Sequence, residues 1–185
     1  MILRLFALCL ALVMLTACSV QQTGVQSSGP ADVQRSYSLA GNTFSTVPGL
    51  DVSEAEGYYP FADIVWRGDP RGDRIAQIAA MFETAFDRNR GVLDGDQPVV
   101  VDVQLVRFHG VTNQTRYTVG GVYNIVFNMT VRDARTGTVI EPARRVRANL
   151  DAPGGEVAVR LEESGQTQKV RVVDFLTGVL RGELR

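Results

Sequence analysis

Two stretches of alternation constrain this chain more than any other feature. After Pro98, the residues Val99, Val101, Val103 and Leu105 point one way, while Asp102 and Gln104 point the other. From Val122 to Asp133, the residues Tyr123, Ile125, Phe127, Met129 and Val131 oppose Asn124, Asn128, Thr130 and Arg132. A period of two residues belongs to a strand with one face in a core and one in water. The second run ends in Ala134-Arg135-Thr136-Gly137, which reads as a four-residue hairpin loop. The return strand, Thr138 to Leu150, puts Val146, Ala148 and Leu150 on its apolar side, with Arg145, Arg147 and Asn149 opposite. Pairing Asp133 with Thr138 sets Ile125 against Val146 and Tyr123 against Ala148, so the apolar faces coincide. Pro142 cannot donate to a ladder, which marks the first half of the return strand as a sheet edge.

An apolar sheet face needs a cover, and two helical stripes supply it. Between Asp73 and Arg90, the residues Ile75, Ile78, Ala79, Phe82 and Phe86 recur at spacings of three and four. Asp69-Pro70 or Asp73 caps the start of this helix, and Gly91 stands where a terminating glycine belongs. A second stripe, Val172, Val173, Leu176, Val179, Leu180 and Leu184, defines a helix over residues 166–184. Upstream, Val33, Tyr37 and Leu39 read as a first strand ending in a turn at Gly41-Asn42. Residues 42–47 read as a second strand closed by Pro48-Gly49, and 62–66 (ADIVW) as a short third. The expected fold is α+β: a mostly antiparallel sheet covered on one face by two amphipathic helices, a two-layer sandwich over residues 31–185.

The first residues obey a different logic. Arg4 precedes an unbroken apolar run of 11 residues, Leu5 to Leu15, the size of a signal-peptide core and too short to span a bilayer. The run closes in Leu15-Thr16-Ala17-Cys18, which resembles the lipobox of bacterial lipoproteins. That resemblance implies cleavage after Ala17, removing residues 1–17, and lipid attachment at Cys18. The alternative is a plain signal peptide cleaved near Ala17 with Cys18 incidental. Processing leaves 168 residues with a net charge of −2 and a single cysteine, already committed to the anchor. Two or more acyl chains on Cys18 hold a protein on a membrane where one does so only marginally. Ser19 after the cysteine, by the same resemblance, favours the inner leaflet of the outer membrane facing the periplasm, with the inner membrane as the alternative. Residues 18–30 are rich in Gln, Ser and Gly and read as a flexible tether spanning about 20 Å, or else as a short ordered arm.

Composition narrows the chemistry further. A net charge of −1 and a pI of about 5.9 argue against a nucleic-acid partner. With one histidine, no multi-histidine metal site can be built. Asp87, Asn89, Asp94 and Asp96 superficially resemble a calcium loop, but the glycine and glutamate positions hold Val92 and Pro98. His109 has no recognisable nucleophile or carboxylate partner in sequence, so it reads as a locally satisfied strand-end residue. No cofactor, no metal and no enzymatic activity are expected. Two clusters are candidates for contact. Trp66, with Arg67 and Asp69, would suit a protein-contact site if exposed, against a plainer role in the core and in helix capping. Arg132, Arg145 and Arg147 would suit an anionic ligand or glycan, against the plainer reading of a solvated sheet face.

Three segments, residues 52–74 (VSEAEGYYPFADIVWRGDPRGDR), 116–137 (RYTVGGVYNIVFNMTVRDARTG) and 165–176 (GQTQKVRVVDFL), carry a further resemblance. They are similar to an uncharacterised family of alphaproteobacterial lipoproteins defined by a domain of unknown function. The resemblance implies no catalytic residue. The expected role is that of a lipid-anchored periplasmic envelope protein, a non-enzymatic accessory or binding protein for another envelope component. The alternative is a binding module for an anionic small molecule or glycan, using the arginine-bearing sheet face.

Overall fold

The computed structural model describes residues 23–28 and 34–185. Ala17 and Cys18 lie outside the described residues. Among the described residues, six strands and four helices follow in the order β1 (Gly24–Ser27), β2 (Tyr37–Thr46), β3 (Ile64–Val65), α1 (Arg74–Asp87), β4 (Gln97–His109), α2 (Asn113–Arg116), β5 (Gly121–Asp133), β6 (Val139–Ala152), α3 (Gly155–Glu163) and α4 (Gln168–Glu183). The strands form one sheet in the order β1-β6-β5-β4-β2, and β3 joins β4 beyond β2. Pairing is antiparallel from β1 through β4, while β2 and β3 run parallel to β4. The fold is α+β with a mixed sheet.

The inward face follows the alternation of the sequence. Val99, Val101, Val103 and Leu105 are buried together with Tyr123, Ile125, Phe127, Met129, Val146 and Ala148. Against them pack Ile78, Phe82 and Phe86 of α1 and Val172, Leu176 and Leu180 of α4. Each such side chain contributes about 1.5–3 kcal/mol by leaving water. Asp73 caps α1, accepting the N–H of Ala76 at 3.0 Å, and Thr167 caps α4, accepting that of Val170 at 3.3 Å. Asn89 ties the two helices together. Its amide donates to the carbonyls of Ala85 and Thr177, and its oxygen accepts from Arg181 at 2.9 Å.

Several expectations are corrected. The turn at Gly41-Asn42 is instead a bulge between Leu39 and Gly41 inside one continuous strand, because β4 offers a partner along the whole of β2. The hairpin closes as expected, Asp133 accepting the Gly137 N–H and donating to Thr138 O. Two register shifts around Pro142 then move the pairing, so Ile125 faces Ala148 and Tyr123 faces Leu150. A total slip of two residues preserves which face each side chain takes, so the expected burial pattern stands despite the changed partners. Residues 24–27, read as part of a tether, form β1 on β6, and Ser27 Oγ accepts from Arg144 at 2.7 Å. Neither α2 nor α3 was expected; both are short, and only Ala158 of α3 is buried.

Candidate functional site

The cluster around Trp66 is structural. Trp66 is fully buried and meets Phe108 edge-on at 5.6 Å between ring centroids. Its indole N–H donates to Asp69 at 2.9 Å, and Asp69 also accepts from Lys169 at 2.8 Å. Arg67 spends its guanidinium on Glu56 and on the carbonyls of Ser53, Ala55 and Trp66. These three residues therefore pin the 53–56 segment and the start of α1. They do not form an exposed contact surface.

The face of the sheet opposite α1 and α4 is open and polar. Residues paired across an antiparallel ladder share a face, so each register row is a strip of that surface. One strip carries Thr43, Asp102 and Thr130, and Arg132 reaches across to it from the neighbouring row. Asp102 accepts from Thr43 Oγ1 at 2.8 Å and from Arg132 Nε at 2.5 Å, so the Arg132 charge is already balanced. The next carries Gln104, Asn128 and Arg145, linked by amide and guanidinium hydrogen bonds of 3.0 and 3.2 Å. Beyond it lie Arg107, Val126 and Arg147. Arg147 is exposed and, among the described residues, its side chain has no hydrogen-bond or ion-pair partner. The three sequence-predicted arginines thus separate: Arg132 is neutralised, whereas Arg145 and Arg147 keep donors free for a ligand.

The next strip, His109, Asn124 and Asn149, floors a cleft of about 410 Å³. Asn124 donates to Asn149 at 2.8 Å. Tyr58, Tyr59 and Thr115 wall the cleft, and Tyr59 lies over the imidazole with 4.4 Å between ring centroids. The loop that brings Tyr59 here is anchored by Thr112 Oγ1, which donates to Gly57 O, and by Thr115 Oγ1, which donates to Tyr58 O. His109 Nδ1 sits 3.1 Å from the carbonyl of Ala62. Burial pulls the imidazole below its ordinary pKa, outweighing the opposing pull of the Ala62 carbonyl. Burial thus favours the neutral ring, which is packed under tyrosine with a backbone carbonyl as its hydrogen-bond partner. Tyr59 was not foreseen as a site residue, and neither were Asn124 and Asn149. The polar parity of both asparagines was the available signal. Among the described residues no group of three or more His, Cys, Asp or Glu side chains is placed to hold a metal ion, and no helix is long and apolar enough to cross a membrane.

A two-layer α+β domain with an open, amide- and arginine-bearing sheet face and an aromatic-walled cleft is the class these observations define. The chain belongs to a family of unknown function, DUF6778, whose model matches residues 40–185. None of the curated proteins matches it. Among solved structures, it is similar to a variant of the PelC dodecamer from Paraburkholderia phytofirmans, with 11% identity over 88% of this chain and 98% of that one and a TM-score of 0.40. It is also similar to the protein XCC0632 from Xanthomonas campestris, of the DUF330 family, with 14% identity over 87% and 97% of the two chains and a TM-score of 0.39. Overlaps this loose carry no argument about activity.

Proposed function

We propose that this chain is a lipid-anchored, non-enzymatic accessory protein of the bacterial envelope that binds an anionic glycan component on its open sheet face. The observation that carries the reading is Arg147, exposed and without a partner among the described residues, one ladder row from the Asn124–Asn149 pair and the Tyr59–His109 wall. A guanidinium recognises carboxylate or sulfate through parallel N–H donors. Side-chain amides read hydroxyl groups, and an exposed aromatic ring offers an apolar face to a sugar ring. The anchor is assigned to Cys18 after cleavage at Ala17, on the strength of the apolar run and the Leu15-Thr16-Ala17-Cys18 sequence. Ser19 favours the periplasmic face of the outer membrane. The alphaproteobacterial lipoprotein identity belongs to the same reading.

Thermal unfolding with polygalacturonate, dextran sulfate and neutral dextran tests the binding claim. The anionic polymers should raise Tm and dextran should not, and Arg145→Ala with Arg147→Ala should abolish the shift. No Tm shift with either acidic polymer would count against the reading. The anchor has its own test: Cys18→Ser should move the protein out of the membrane fraction, and unchanged fractionation would refute lipidation.

A further inference from the structure

We infer that the end of the sheet bearing Tyr58, Tyr117 and Val119 seats on the membrane surface, fixing the orientation of the domain. This rests on the lipid-anchor reading of Cys18 and goes beyond it. Two independent placements converge on that end.

The first is where the chain leaves the domain. β6 runs toward Ala152, and β1 pairs antiparallel to it, so the backbone before Gly24 heads for the same end. Thr23 Oγ1 accepts the N–H of Asp151 at 3.1 Å, one residue short of the end of β6. From Thr23 to Cys18 there are five residues, which reach at most about 18 Å even when fully extended. The pairing of β1 thus removes most of the slack that a twelve-residue tether would have given. A lipidated Cys18 must hold this end of the sheet close to the headgroups.

The second is where exposed apolar side chains gather. The loop between α2 and β5 carries Tyr117 and Val119, 50% and 75% exposed, and Tyr58 and Tyr59 stand beside them at 54% and 64%. Val119, Tyr58 and Tyr59 rim the same cleft. At the opposite end of the sheet, the exposed large apolar residues described are Val92 and Val139, at 38% and 44%. Tyrosine with an apolar body and a hydroxyl tip favours the interface between headgroups and hydrocarbon. The charges at this end are mixed, with Arg160 paired to Glu156, Arg116 to Glu162, and Arg171 donating to the carbonyl of Asp151. Acids and arginines offset one another, so the seating is apolar in character and independent of anionic lipid. With this end down, the Arg147 and Arg145 rows stand one and two ladder steps farther from the membrane than the Asn124–Asn149 row.

The test uses the full-length, lipid-anchored protein. Cys9 is lost with the leader and Cys18 carries lipid, so Val119→Cys or Val92→Cys supplies the single free thiol for an environment-sensitive nitrobenzoxadiazole label. Both variants are reconstituted into phosphatidylethanolamine vesicles with doxyl-labelled lipid. The label at 119 should be quenched at least threefold more than that at 92, and 1 M salt should leave the difference intact. Equal quenching at both positions, in protein that floats with the vesicles, would overturn the orientation while sparing the anchor. Quenching at 119 that disappears in salt would overturn its apolar basis. Failure of the processed protein to float at all would remove the anchor reading itself.

Discussion

Arg35 grips Glu141 with two parallel donors, Nε at 2.8 Å and Nη2 at 3.0 Å, across 106 residues of sequence. The Tyr37 hydroxyl adds a third hydrogen bond at 2.9 Å, and Arg144 a fourth at 3.3 Å. Arg144 reaches on to Ser27 and to Glu183, so one buried network joins β1, the entry to β2, β6 and the end of α4. Burial alone would raise the Glu141 pKa, but the donated hydrogen bonds from Arg35 and Tyr37 outweigh it and hold the carboxylate below its ordinary 4.5. A depressed folded-state pKa means stability present above 4.5 and lost as pH falls through the lower folded value. Glu141→Ala leaves the largely buried Arg35 and Arg144 guanidinium groups without this partner and should cost about 3–5 kcal/mol. Urea unfolding at pH 7 and at pH 3 measures both effects. The variant should lose much of the acid-dependent difference shown by the natural protein.

The same network has an alkaline edge. Burial, then the hydrogen bond to Glu141, pushes the Tyr37 hydroxyl up to about 12. A raised folded-state pKa contributes stability below 10.0, which fades as pH climbs from there toward about 12. Tyr37→Phe should be less stable at pH 8, by about 1 kcal/mol for the lost hydrogen bond. It should also show a flatter decline above pH 10. Circular dichroism melts at pH 8 and at pH 11 distinguish the two proteins.

His109 sets a second acid limit, nearer neutrality. Its imidazole is depressed by burial under Tyr59, so the folded state favours the neutral ring. Stability is complete above the ordinary 6.5 and declines as pH falls through the lower folded value. His109→Gln keeps a polar group beside Ala62 O and removes the titration. Its melting temperature should change less between pH 7 and pH 5 than that of the natural protein. Tyr59→Ala uncovers the ring, and a histidine NMR titration should then move its pKa back toward 6.5.

The inner face of the sheet was legible because alternation reports burial directly. Val99 to Leu105 and Tyr123 to Val131 lie where their period put them. The hairpin register was not legible. Two bulges near Pro142 shift the partner of Asn124 from Arg147, as simple pairing implies, to Asn149. A bulge leaves no pattern in composition, so the amide pair flooring the cleft was hidden by two residues of slip. The parallel partner of β4 was hidden as well, since a non-local pairing has no local signal. For Trp66, sequence offered a tryptophan among charges, which fits burial and exposure alike. The carboxylate of Asp69 three residues on, within reach of the indole N–H, made burial possible.

Gly120 and Gly154 make the closest backbone crossing at the end of the sheet inferred to face the membrane, and they offer the most separable prediction. Gly120 has φ of +72°, and a Cβ there would stand 2.5 Å from Gly154 N and 2.6 Å from Ala152 O. Gly137 in the hairpin loop has nearly the same φ, +73°, yet a Cβ there would meet nothing within 4 Å. Gly137→Ala therefore reports the left-handed backbone alone, a cost of about 1–2 kcal/mol. Gly120→Ala carries that cost plus a backbone collision that no side-chain rotation can relieve, so it should lose at least about 1 kcal/mol more. It should also displace Val119 and Tyr58 at the rim of the cleft, changing amide shifts at Asn124 and Asn149, whereas Gly137→Ala leaves those signals in place. Paired urea melts and two-dimensional NMR spectra of both variants decide the matter. Equal destabilisation would show that the Gly120–Gly154 approach relaxes freely and does not hold this end of the domain in shape.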